Sequence, residues 1–294
     1  MIERKEIDIS AQEVFRQYIK NQENSTYNYT NMFMWSDKTG ITYAEVEGCL
    51  VLFFQFGKQP VSVSYPVGEG DKKTAILHLA DYIRKQELKP VFRNLSLSMC
   101  EEMETMFPDA FEFVEDRNAA DYIYETESLI HLSGKKLHQK RNHFNYFKKN
   151  YQYTYRSLTQ VDMPTCLKLY DSWEEEKEGG RRLSGSREAT MRLLTHFDRL
   201  PVRGGGLFVD GKLVAFSIGE KVSEDMALIH LEFATDLRGA YNVINSEFCA
   251  HEWADCTFVN REEDMGLTGL RQAKLAYRPV RLIDKYNAVL KADL

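Results

Sequence analysis

Ile229-His-Leu-Glu-Phe-Ala234 sets His230 and Glu232 two residues apart. In an extended strand that spacing puts both side chains on one face, with Leu231 and Phe233 on the other. A glutamate or histidine so placed can take a proton from an attacking amine, directly or through water, and Glu232 is the candidate base. Asn260-Arg-Glu-Glu-Asp264 gathers charge directly after a short apolar run. Acids clustered beyond a strand's C-terminal end can hold an ammonium or act as a base. That makes His230, Asn260, Arg261, Glu262 and Asp264 candidate substrate contacts. Lys274 and Tyr277 are three apart and share one face of a helix. Tyr277 is a candidate general acid, and Lys274 a further substrate contact.

Thr235-Asp-Leu-Arg-Gly-Ala-Tyr-Asn242 follows an expected strand and opens an expected helix. Such a turn can aim backbone N–H groups and a helix N-terminus at a pyrophosphate, with a glycine allowing close approach. Leu237, Arg238, Gly239, Ala240, Tyr241 and Asn242 are therefore candidate cofactor contacts. A second source of positive charge lies upstream. Residues 128 to 161 hold seven Lys or Arg and no Asp or Glu, in a chain whose net charge is −6. On a helical wheel Leu137, Phe144, Phe147 and Tyr151 form an apolar stripe, and Lys140 falls inside it. A purely solvated basic face would be arranged the other way round. Lys140 and Arg141 are thus candidate contacts for a donor phosphate, although lysine and arginine stems can also snorkel past apolar neighbours.

Other segments point away from chemistry. Five cysteines, at 49, 100, 166, 249 and 256, are odd in number and show no Cys-x-x-Cys. That favours reduced thiols and a cytoplasmic location and argues against a zinc module; no metal site is expected. The start, Met-Ile-Glu-Arg-Lys-Glu, lacks the apolar segment of a secretory signal. The longest apolar run, Cys49 to Phe54, is too short to cross a bilayer. Net negative charge argues against general DNA binding. Glu174-Glu-Glu-Lys-Glu178 reads as a solvated helix end, and Gly204-Gly-Gly206 as a flexible turn without the Lys-Ser/Thr of a phosphate loop.

The elements that must position these residues repeat. In the first half, helices over 10–20 and 27–35 precede strands over 41–46, 49–56 and 60–66, with Glu47-Gly48 a hairpin signal. Helix 72–86, strand 90–94, helix 98–107 and strand 111–114 follow. The second half adds a leading strand, 152–158, and then gives helices 162–177 and 186–199. Strands 207–209 and 213–222 are joined by Asp210-Gly211, and strand 226–235 follows. Helix 241–253, strand 256–260, helix 267–276 and strand 280–290 complete the order. Two α/β domains of similar order are expected.

The second-half order is similar to the GNAT-type acyl-CoA N-acyltransferase fold. Lys135-Lys-Leu-His-Gln-Lys-Arg-Asn-His-Phe-Asn-Tyr-Phe147, Val259-Asn-Arg-Glu-Glu-Asp-Met-Gly266 and Gly269-Leu-Arg-Gln-Ala-Lys-Leu-Ala-Tyr277 resemble signatures of the family named for the C-terminal domain of phosphatidylglycerol lysyltransferase. The resemblance implies two tandem GNAT-like domains, each a mixed, mostly antiparallel sheet flanked by helices. Expected boundaries are 1–128 for a non-catalytic first domain, 129–151 for a basic interdomain helix, and 152–294 for a catalytic second domain. Arg238-Gly239-Ala240 resembles the fold's pyrophosphate motif, with Tyr241 where a second glycine is usual. The implied reaction moves an acyl or aminoacyl group from acyl-CoA or aminoacyl-tRNA to an amine, peptide or hydroxyl acceptor. Acyl-CoA would then be a co-substrate and not a tightly bound cofactor. In the first domain Gly68-Glu-Gly-Asp71 stands at the equivalent turn, and its acids would repel phosphate. The competing expectation is a catalytically degenerate module that binds a phosphorylated ligand.

Overall fold

The computed structural model describes residues 2–20, 23–55, 57–176 and 185–291. In chain order the first elements are β1 (Lys5–Glu6), α1 (Gln12–Tyr18), α2 (Tyr29–Thr39), β2 (Thr42–Val46), β3 (Cys49–Phe54), β4 (Ser62–Ser64), α3 (Lys72–Arg84), β5 (Val91–Leu95), α4 (Leu97–Met106) and β6 (Phe111–Glu115). Next come β7 (Asp121–Glu125), α5 (Thr126–His131), α6 (His138–Asn150), β8 (Tyr153–Ser157), α7 (Met163–Glu176), α8 (Ser186–Thr195), β9 (Val202–Val209), β10 (Lys212–Lys221) and β11 (Met226–Ala234). The chain ends with α9 (Ala240–Glu252), β12 (Phe258–Asn260), α10 (Thr268–Leu275), β13 (Arg281–Ile283) and β14 (Tyr286–Leu290).

Two compact units result: residues 1–120 with 283–294, and residues 121–282. The first unit's sheet runs β1-β2-β3-β4-β5-β14-β6. Among the described residues its one parallel pair is β4 with β5. Glu47 and Gly48 both have positive φ (49° and 72°), the geometry of the tight hairpin their sequence signals. Asp71 caps α3, accepting from the Thr74 N–H at 3.0 Å, so a carboxylate already occupies that helix N-terminus.

The second unit's sheet runs β13-β7-β12-β11-β10-β9-β8. Phe216 and Phe233 pack with Tyr170 and Trp173 of α7 on one face. Their neighbours Ala215 and Ala234 join Leu207 against Val243 and Ile244 of α9 on the other, as the strand period requires. The parallel pairing of β11 with β12 ends at Leu228 and Asn260, while β11 continues to Ala234. Against β10, Ile218 pairs Leu231 and Gly219 pairs Ile229, leaving His230 as the extra residue of a β-bulge. A bulge re-aims the side chain it carries. The sheet is therefore irregular on both sides of β11 along the stretch that holds His230 and Glu232.

Three expectations differ from the structure. The single strand over 280–290 is two strands in two sheets, because Asp284 and Lys285 interrupt it and the buried Lys285 ammonium donates to Ser25 Oγ at 2.9 Å. Residues 121–125 pair with β12 of the second sheet, a partner more than 130 residues away that no local pattern announces. Gly204-Gly-Gly206 lies inside β9. A Cβ at Gly205 would sit 2.1 Å from the Tyr155 hydroxyl, so an aromatic ring crossing the strand explains the glycine there. The solvated helix end expected over 174–178 passes Glu176 into residues outside those described.

Candidate functional site

At the break in the β11–β12 pairing, side chains from six segments of the second unit meet. Glu232 Oε1 accepts from Arg261 Nη2 at 2.8 Å, and Oε2 accepts from Asn245 Nδ2 of α9 at 3.1 Å. This pairing fixes the amide orientation of Asn245, since a flipped amide would point its oxygen at the carboxylate. Arg261 also stacks over the Tyr277 and Tyr124 rings, 5.0 and 5.7 Å from their centroids. Burial disfavours the guanidinium charge, but Glu232 with Tyr124 and Tyr277 together outweigh it and hold Arg261 protonated above its ordinary range. Its Nη1 is buried and has no hydrogen-bond partner among the described residues.

Tyr277 is 5% exposed, and its hydroxyl accepts from Asn242 Nδ2 at 2.7 Å. With that lone pair engaged, the phenol's own proton remains available to donate. Burial, with Glu232 as a smaller cause, pushes Tyr277 up, so it stays protonated at neutral pH. Lys140 of α6 sits 4.3 Å above the same ring. Burial first, and then repulsion from Arg261, push its ammonium down.

The Asn260–Asp264 turn is a scaffold that aims Arg261. Asn260 Nδ2 donates to Asp121 Oδ2 at 3.2 Å, and Asn260 Oδ1 accepts from the Glu262 N–H at 2.7 Å. Glu262 has a φ of 58°. Lys274 Nζ donates to the Arg261 carbonyl and, at 3.2 Å, to the Glu262 carbonyl. Asp264 accepts two bonds from Arg271, at 2.7 and 2.9 Å, and one from the Tyr122 hydroxyl at 2.5 Å. Burial opposes the Asp264 charge, yet Arg271 and Tyr122 hold its pKa down to about 2. His230 lies between Glu262 Oε1 (3.0 Å) and Glu220 Oε1 (2.9 Å). Burial disfavours the imidazolium, and the two glutamate bonds overcome that, raising the pKa to about 9. His230 is thus held as a cation at neutral pH, bridging two carboxylates.

Of the residues singled out in the sequence, Lys140, Glu232, Asn242, Arg261 and Tyr277 come together, with Lys274, Asn260, Glu262, Asp264 and His230 bracing them. Arg141 does not join: its Nη1 donates to the Leu132 and Gly134 carbonyls at 2.6 and 3.1 Å, closing the end of α5. The turn before α9 stands apart too. Arg238 stacks over Tyr146 at 4.3 Å, Leu237 packs into the core, and Tyr241 is 37% exposed. Gly239 has a φ of 93° and heads α9, followed by Ala240. A Cβ there would lie 2.2 Å from the His143 carbonyl of α6, so the positive φ and the helix packing together account for the glycine. Asn245, Tyr124 and Glu220 were not singled out. Asn245 follows Asn242 by three, a shared helix face that carried the signal. No group of His, Cys, Asp or Glu among the described residues could hold a metal ion, and no described helix is long and apolar enough to cross a membrane.

Residues 18–289 match the family described as phosphatidylglycerol lysyltransferase, C-terminal. A conserved protein of unknown function from Bacteroides thetaiotaomicron VPI-5482 is 33% identical, with a TM-score of 0.91 over 99% of this chain and 100% of that one. L-PGS from Bacillus licheniformis is 17% identical, with a TM-score of 0.67 over 98% and 93%. A tandem GNAT protein from the clavulanic acid biosynthesis pathway is 10% identical, with a TM-score of 0.50 over 99% of both chains. The last two likenesses are of fold, and the fold is two tandem GNAT-like units. An uncharacterised protein of Mycoplasmoides gallisepticum is 22% identical over 171 residues, 58% of this chain and 56% of that protein, so the match spans about half of the curated relative's length.

Proposed function

This chain belongs to the phosphatidylglycerol lysyltransferase C-terminal family, and from that membership we propose that it transfers an aminoacyl group from an aminoacyl ester donor to a small amine or hydroxyl acceptor. The observation that carries this reading is the Tyr277 hydroxyl. It is buried, protonated and supplied with a hydrogen bond by Asn242, so its own proton is free for a substrate oxygen. In the proposed step the acceptor attacks the ester carbonyl and its proton passes to Glu232. The ester C–O bond breaks, the leaving oxygen takes its proton from Tyr277, and the proton held by Glu232 is released to solvent as Tyr277 takes one back. Each Glu232 oxygen keeps a lone pair beyond those engaged by Arg261 and Asn245. The rest of the acceleration comes from holding donor and acceptor in place.

Two observations favour an aminoacyl ester, such as aminoacyl-tRNA, over acyl-CoA. The glycine that would admit a pyrophosphate is packed against the His143 carbonyl. The next position of that motif carries Tyr241. The test incubates the protein with a panel of labelled aminoacyl-tRNAs and, separately, acyl-CoAs, and measures acyl transfer to amine and hydroxyl acceptors. Transfer from an aminoacyl-tRNA is expected, with Tyr277→Phe about 100-fold slower. Transfer from acyl-CoA alone, or from neither donor, would refute the reading.

A further inference from the structure

The basic island and the transfer site share one residue, Lys140, and its surroundings are unlike those of its basic neighbours. Arg141 is spent on two backbone carbonyls. Lys148 lies over the Phe144 ring but is exposed, Arg238 lies over Tyr146 and donates to His143 Nδ1 at 3.5 Å, and Lys274 is tied to two carbonyls. Lys140 is half-buried, with its ammonium over the Tyr277 ring face. It has no hydrogen bond or ion pair to any described residue. The same ring carries Arg261, whose Nη1 is buried and unmatched.

We propose that Lys140 and Arg261 form an oxyanion subsite that takes a phosphoryl group of a substrate.

Charge supports it. Around the Tyr277 ring the two cations face one carboxylate, Glu232, whose two oxygens are already bonded to Arg261 and Asn245. Glu220 and Glu262 are both bonded to His230, and Asp264 to Arg271. At Lys140 the repulsion from Arg261 outweighs the attraction of Glu232. An arriving anion removes that repulsion and satisfies the Nη1 donor, whose burial without a partner is costly. Aromatic walls exclude water and strengthen the attraction. A phosphoryl group fits better than a carboxylate: its oxygens diverge, so it can meet two donors on different elements, and its second charge answers the second cation. The location rests on the transfer site described above, but binding needs no turnover.

The test is therefore a titration of the intact chain without donor or acceptor. Inorganic phosphate is added at ionic strength held constant with chloride, and thermal stability is followed. A saturable rise in Tm is expected. Lys140→Met should weaken the apparent affinity at least tenfold without lowering the Tm of the unliganded protein, and Lys140→Arg should restore it to within about threefold. Glycerol 3-phosphate and adenosine 5′-monophosphate, the terminal nucleotide of a tRNA donor, are run in parallel. Tighter binding of the first assigns the phosphoryl group to an acceptor, and tighter binding of the second to a donor. No saturable shift, an unchanged affinity in Lys140→Met, or an equal response to acetate overturns the proposal. Failed aminoacyl transfer alongside Lys140-dependent phosphate binding would sink the reaction and leave the subsite standing.

Discussion

At the scale of single residues, the site divides into groups that face a substrate and groups that hold them still. Asn260, Glu262 and Asp264 look like a reactive cluster in the sequence, yet each bonds to the protein itself, and the arginine among them is what they present. His230 shows the same inversion. A histidine two residues from a glutamate suggests proton transfer, but two carboxylates keep it charged. Its folded-state pKa, about 9, lies above the ordinary 6.5. The stabilisation it provides is therefore complete below about pH 6.5 and is lost as pH rises through about 9. Urea unfolding should show stability falling over that window by up to about 3 kcal/mol. His230→Gln should be less stable at pH 6.5 and should flatten the dependence. A slope as steep in the variant as in the wild type would mean other groups carry it.

At the scale of elements, the helix order and the hairpins are legible because they rest on local chemistry. Asp210 and Gly211 both have positive φ (49° and 74°), as a two-residue hairpin demands. The apolar stripe of α6 is legible for the same reason: Leu137 and Phe147 are buried and Phe144 and Tyr151 pack beside them. What local pattern hides is the cause behind a residue. Gly239 satisfies a phosphate motif in one dimension, and in three it lets α6 pack against α9. The two causes make different demands on the position. Gly211→Ala meets nothing within 4 Å at a positive φ (74°), so it should cost only about 1–2 kcal/mol. Gly239→Ala adds a contact with the His143 carbonyl at 2.2 Å to a similar φ, and should cost about 3 kcal/mol or more. Chemical denaturation of both variants checks this, and equal costs would show that α6 yields easily.

At the scale of the whole molecule, the feature that sequence reading missed is the exchange of strands at the two ends of the second unit's chain segment. β7, just after the first unit's N-terminal segment, pairs with β12, and β14, at the far end of the chain, lies between β5 and β6 of the first sheet. Contiguous domains are the default expectation, and neither pairing leaves a trace in the hydrophobic period of the strand itself. The arrangement makes the first unit depend on residues that follow the whole second unit in sequence. β14 contributes the buried Ala288 and Leu290 and bonds to a neighbour on each side. Removing it exposes two strand edges and costs several kcal/mol, a large part of an ordinary domain's stability. A chain ending at Ile283 should therefore lose hydrogen-exchange protection at Val91–Leu95 and Phe111–Glu115, measured by mass spectrometry. Protection at Lys212–Lys221 and Met226–Ala234 should persist, because every strand paired with them lies within residues 121–282. If β5 and β6 stay protected in the shortened chain, the first sheet closes without its last strand. If all four segments exchange together, the two units unfold as one.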